Sequence, residues 1–133
     1  MKKDYRLAIE DCRTALRIDP QFAKGYQRAG KCFLSLGDFS EAKRQLKEAE
    51  KLEPHNKTLQ QELESVRQAE YFLSAAQTAF AEKEPRRAVT NAEQGLKLAP
   101  ASQELQILLV KAHLAQKNYG EATRIARSAF VFS

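Results

Sequence analysis

The chain has no tryptophan, one methionine, 5 glycines, 4 prolines and 2 cysteines among its 133 residues. Few glycines and prolines, together with no stretch that alternates apolar and polar residues over a strand's length, argue against a β protein. Cys12 and Cys32 stand 20 apart, which matches no zinc spacing. Both fall on apolar faces of predicted helices and read as buried, reduced thiols. No apolar run approaches the roughly 18 residues of a membrane-spanning helix. The basic start Met1-Lys2-Lys3-Asp4-Tyr5 leads into no apolar signal core, so the expectation is a cytoplasmic chain without membrane contact.

Chemistry is scarce too. There is no Gly-rich phosphate loop and no pairing of nucleophile and base. His55 and His113 are 58 apart without clustered ligands, so no metal is expected. Glu62 and Glu64, two apart on a helix, face different ways. Asn56-Lys57-Thr58 fits a glycosylation acceptor but reads better as a helix start. No enzyme activity and no cofactor are expected. The charge is mixed along every predicted helix, 22 basic against 17 acidic residues for a net +5. That surplus suits an acidic partner and falls well short of a nucleic-acid-binding composition.

What is abundant is helix-forming: Ala, Leu, Lys, Glu, Gln and Arg dominate. The sequence also repeats. Tyr5 to Phe39, Ala8 to Ala42, Ala15 to Ala49 and Pro20 to Pro54 are each 34 apart, as are Ala88 and Ala122. Only Ala42 to Ala88 breaks step, at 46, which is twelve residues more. The extra residues are assigned to Lys57–Gln68. They contain no Gly or Pro, and Leu59, Leu63, Val66, Ala69, Leu73, Ala76 and Phe80 make one apolar stripe, so they extend a helix by about 18 Å instead of forming a loop.

A 34-residue period of this kind resembles the tetratricopeptide repeat (TPR). In the unbroken repeat, Tyr26, Ala29, Gly30 and Phe33 lie on a first helix, A. Gly37-Asp38 turns the chain, and Ala42, Leu46, Ala49 and Pro54 mark a second helix, B. Small residues at Gly30, Ala42 and Ala49 permit close helix crossings, Phe33, Phe39 and Leu46 fill the wedge, and Pro54 cannot continue a helix. Asp38 with Glu41, and Asn118 with Glu121, read as capping boxes. Three positions depart from the pattern: Gly95 replaces an alanine, Pro85 stands at an aromatic turn position, and His113 replaces an aromatic residue. The fold implied is all-α, a TPR α-solenoid (a right-handed superhelix of antiparallel helix pairs) with one extended helix. Helices are expected at about 4–18, 22–35, 39–52, 57–83, 86–98, 102–116 and 119–131. They divide into helix B of a truncated repeat (1–20), a complete repeat (21–56), a repeat with the extended first helix (57–100) and a final truncated repeat (101–133). The unpaired first helix and the apolar end at Phe130–Phe132 read as cuts through a longer array.

Lys24 and Arg28, at i and i+4, share one face of the second-repeat A helix. The segment resembles the third repeat of carboxylate-clamp TPR modules, which grip the acidic C-terminal tails of Hsp70 and Hsp90. That resemblance implies a clamp-like set of Lys24 and Arg28, with Gln27 and Lys31 beside them. A Lys point charge and a planar Arg fork on a rigid helix suit a peptide carboxylate terminus. The alternative is ordinary solvated charge. The family's clamp also draws on two preceding repeats, so this chain is expected to carry half a clamp. Repeats three and four place Glu70 and Ser74, then Glu104 and Leu108, at the Lys24 and Arg28 positions. Leu73, Ile107, Val110 and Leu114 there form either an apolar groove for unfolded client polypeptides or a packing face.

The run Arg28–Gly37, the extended helix with Gln60-Gln61-Glu62, then Glu70-Tyr71, Ala79-Phe80 and Leu98–Ala101 together look like the TPR region of cytosolic DnaJ subfamily C co-chaperones. This resemblance implies a co-chaperone segment that links Hsp70 and Hsp90 and assists client folding. A J domain and its His-Pro-Asp motif are not in these residues, so stimulation of Hsp70 is expected to lie elsewhere in a parent protein. The rival readings are the TPR arm of a Hop-like adaptor, a general assembly scaffold, and the regulatory arm of an enzyme.

Overall fold

A computed structural model describes residues 4–130, with side chains through Ser128. The expected apolar end at Phe130–Phe132 lies outside the described side chains. Among the described residues seven helices follow one another: α1 (Tyr5–Ile18), α2 (Ala23–Leu36), α3 (Phe39–Leu52), α4 (Lys57–Ala81), α5 (Pro85–Leu98), α6 (Gln103–Ala115) and α7 (Tyr119–Phe130). No strand occurs among the described residues. The fold is the all-α arrangement of helix pairs that the repeat implies.

The chain divides into two compact units, one up to Arg67 and the other from Gln68 on. In the first, α1 packs on α2 and α2 on α3. In the second, α5 packs on α6 and α6 on α7, with Ala79 of α4, Ala88 of α5 and Ala112 of α6 in one buried cluster. Small residues sit where helices meet: Ala42, Ala49, Ala76 and Ala88 are fully buried. At Gly30 the approach is closest. A Cβ there would lie 2.7 Å from Leu46 Cγ and 3.3 Å from the Ala42 carbonyl oxygen. Leu46 is itself fully buried and has no room to retreat.

The turns recur with the same spacing as the side chains. After α2, Gly37 takes φ 85°, its N–H donates to the Leu34 carbonyl, and the Asp38 N–H donates to Phe33. This is the Schellman pattern, which uses up carbonyls that the helix end leaves unpaired. Lys83 (φ 61°) and Lys117 (φ 60°) repeat it, with the Glu84 N–H on Ala79 and the Asn118 N–H on His113. Gly37, Lys83 and Lys117 are thus 46 and 34 apart. A lysine in the left-handed region carries a steric penalty that glycine escapes.

These turns correct the capping boxes. The Asp38 side chain does accept from the Glu41 N–H at 3.3 Å. The reciprocal half fails, because the Asp38 and Asn118 N–H groups are already committed to the preceding helix. Glu41 and Glu121 bind Arg44 and Arg124 one turn on. An unanticipated cap, buried Ser102, accepts from the Leu105 N–H at 3.2 Å. His113, at its aromatic position, is buried with Nδ1 3.5 Å from Asn118 Nδ2. Pro85 opens α5 as its first residue.

The extended helix also differs from expectation in detail. Its 25 residues end at Ala81, two short of the sequence boundary. Leu59 and Leu63, 34 residues after Gly25 and Ala29, are buried as those are. The opening turns of α4 therefore stay in the first unit's phase, and the added residues fall later than Lys57–Gln68. Twelve residues advance a helix by three turns and about 120°, so one helix can serve two repeat phases on different faces.

Candidate functional site

Helix α2 carries the charged residues singled out from the sequence. Its buried side is Ala23, Gly25, Ala29, Gly30 and Phe33. The helical period then sends Lys24, Gln27, Arg28 and Lys31, at i, i+3, i+4 and i+7, to one other face. Lys24, Arg28 and Lys31 are exposed and Gln27 is half-buried. Neither Lys24 nor Arg28 makes a hydrogen bond or ion pair with a described residue. They present two cations about one helical turn apart on an exposed face.

Gln27 and Lys31 are not free in the same way. Gln27 Nε2 donates to Glu62 Oε1 at 3.0 Å, and Lys31 Nζ lies 3.9 Å from the same oxygen. Glu62 Oε2 is buried without a hydrogen-bond partner among the described residues. This contact escaped the sequence reading, which set Glu62 inside an insertion and so lost its register with α2.

Behind this face, Cys12 of α1 is buried and Cys32 half-buried, and the two form no disulfide. Burial pushes the Cys12 thiol above its ordinary value, with the Arg28 charge opposing and Asp11 adding to the rise. Such a thiol stays protonated and unreactive at neutral pH. The expectation of full burial thus holds for Cys12 and not for Cys32.

In the second unit, Ile107, Val110 and Leu114 share a face of α6. Ile107 is 41% exposed and Leu114 46%, while Val110 and Leu73 of α4 are half-buried. Glu104, on the same helix, accepts from Gln77 Nε2 of α4 at 3.0 Å. The second unit also carries two open surface depressions. One is lined by Glu84, Pro85, Arg86, Arg87, Ala115 and Gln116, the other by Tyr119, Gly120, Thr123, Arg124 and Arg127. Among the described residues no group of three or more His, Cys, Asp or Glu could hold a metal ion, and no helix is long and apolar enough to cross a membrane.

Helix hairpins closed by one recurring turn, at Gly37, Lys83 and Lys117, define a helical-repeat protein. The chain belongs to the tetratricopeptide-repeat family, whose pattern matches residues 1–66 and 79–129. The twelve unmatched residues, 67–78, equal the extra length and agree with the late position of the insertion in α4. Among curated proteins the chain is similar to the human DnaJ homolog subfamily C member 7, 31% identical over 122 residues, 92% of this chain. It is also similar to two yeast proteins from Saccharomyces cerevisiae. The Hsp70/Hsp90 co-chaperone CNS1 is 33% identical over 84% of the chain, and the heat shock protein STI1 is 33% identical over 55%. The chain spans only 25%, 28% and 12% of those relatives' lengths.

Proposed function

We propose that this TPR segment is a non-enzymatic, cytoplasmic peptide-binding module of a J-domain co-chaperone, and that it holds the acidic C-terminal tails of Hsp70 and Hsp90 through Lys24 and Arg28. The observation that carries the reading is the exposed Lys24/Arg28 couple, without an ion-pair partner among the described residues, on a first helix of a TPR unit. The relatives' names, a DnaJ homolog and an Hsp70/Hsp90 co-chaperone, point to the same partners. A Hop-like adaptor arm would use the couple identically, and the similarity to heat shock protein STI1 keeps that reading alongside.

Two charge-assisted hydrogen bonds contribute about 1.5–3 kcal/mol each before ordering costs. Alone they support about millimolar binding. Titration of the full chain with an acidic octapeptide ending in a free carboxylate, followed by NMR, is expected to give a Kd near that value. Lys24→Ala and Arg28→Ala are each expected to weaken it at least ten-fold. Undiminished binding in both variants would sink the clamp. A second surface, Leu73, Ile107, Val110 and Leu114, would take apolar client segments, a reading favoured by the exposure of Ile107 and Leu114.

A further inference from the structure

The chain supplies a carboxylate of its own to the face that would bind one. Glu62 of α4 stands 34 residues after Arg28, at the repeat position of that arginine with the charge reversed. Its side chain is 16% exposed; Oε1 accepts from the Gln27 amide at 3.0 Å and forms a long ion pair with the Lys31 ammonium at 3.9 Å. Lys31 lies at the end of the row that begins with Lys24 and Arg28. A peptide carboxylate approaching Lys31 therefore meets a negative charge already beside it. Glu62 also takes one of the two N–H donors of Gln27, leaving a peptide only the other.

We propose that Glu62 is an internal competitor for acidic peptides: it holds one Gln27 N–H, lies against Lys31 and biases anion binding on α2 toward Lys24 and Arg28. This inference rests on the clamp reading given above. Two unit charges about 6 Å apart repel enough, even at the dielectric constant of water, to weaken binding about three-fold, and more where the site is partly desolvated. The contact is poised to exchange because Lys31 is 63% exposed and its pairing distance is long. Oε2, buried without a partner, adds no hydrogen bond that would fix the carboxylate in place.

The test is a double-mutant cycle on the full chain. Kd is read by NMR for an octapeptide of serine and glutamate ending in a free aspartate. Glu62→Gln keeps an acceptor for Gln27 and removes the charge, and is expected to tighten binding about three- to ten-fold. Lys31→Ala should change Kd less than about two-fold in the wild-type background and should abolish the gain in the Glu62→Gln background. Glu62→Ala gives the same sign should the amide disturb α4. Equal affinity for wild type and both Glu62 variants, or an equal effect of Lys31→Ala in the two backgrounds, overturns the competitor. Lys24→Ala separates the layers. If it abolishes binding while the Glu62 variants change nothing, the clamp stands and the competitor falls. If it leaves the affinity unchanged, the clamp falls and takes this inference with it.

Discussion

The two units turn their chains alike and show the outside different chemistry. Helix α2 presents Lys24, Arg28 and Lys31. Eighty positions on, α6 presents Glu104, Leu108 and Lys111, with Ile107 where Gln27 stands. The buried side tells the opposite story: Ala42, Ala88 and Ala122 hold one position at 0%, 0% and 3% exposure. Close crossing of helices fixes the small residues, since a larger side chain has nowhere to go. The outward face obeys no such limit. It is there that repeats of one family diverge in what they bind.

The largest expected effects test whether the shared interior is held in the same way. In the first unit, Leu46 of a B helix presses on Gly30 of its A helix. In the second, Leu105 of an A helix presses on Gly95 of the preceding B helix, where a Cβ would lie 2.9 Å from Leu105 Cδ1. Both leucines are fully buried. Leu46→Ala and Leu105→Ala should each cost about 2–5 kcal/mol, transfer loss plus cavity. Urea unfolding midpoints measure this. A loss below about 1 kcal/mol at one site alone would mean that its unit collapses around the cavity and that the interiors are not equivalent.

A smaller effect separates the turns. Gly37, Lys83 and Lys117 share one left-handed backbone conformation, yet only the first is a glycine. Gly37→Ala should destabilise by about 1 kcal/mol, and Lys83→Gly and Lys117→Gly should each stabilise by up to about 1 kcal/mol. Thermal unfolding of the three variants is the check. The same sign for all three would show that the turns differ in strain despite their common hydrogen bonds.

These residues also mark how far the sequence could be read. Alanine spacing revealed the helices, their pairing and the 34-residue period, because burial permits so few residue types at those points. The Gly37 turn was legible from glycine itself. The Lys83 and Lys117 turns carried no such mark, since a strained lysine looks like any surface lysine. The face of Lys24 and Arg28 was legible from i, i+4 spacing, and the structure does bring both out to solvent on one side of α2. Glu62 was missed for a different reason. Assigning the twelve extra residues to Lys57–Gln68 broke the phase that joins it to Arg28. Had the opening of α4 been counted at 34, as buried Leu59 and Leu63 require, the reversed charge would have stood out.

The weakest effect is shared by both units and is a test of their likeness in acid. Glu41 and Glu121 occupy the same place in α3 and α7, each bound by an arginine three residues on. Hydrogen bonds from Arg44 hold the Glu41 carboxyl below its ordinary value of 4.5, and burial opposes them only in part. Hydrogen bonds and charge from Arg124 lower Glu121 likewise. A carboxylate whose folded value lies below its unfolded value binds fewer protons when folded. Its contribution to stability is therefore complete above the ordinary carboxylate range and is lost as pH falls through the depressed value. Both pairs face solvent, so the loss is small and strong salt should erase it. Glu41 also accepts from Gln45 Nε2 at 3.3 Å and is the less exposed of the two, 31% against 44%. Glu41→Gln should accordingly flatten the acid limb of the Tm–pH curve more than Glu121→Gln does. If both variants instead ran parallel to wild type as pH fell from about 5 to about 3, neither pair would contribute, and the acid sensitivity of the units would have to come from unlike groups.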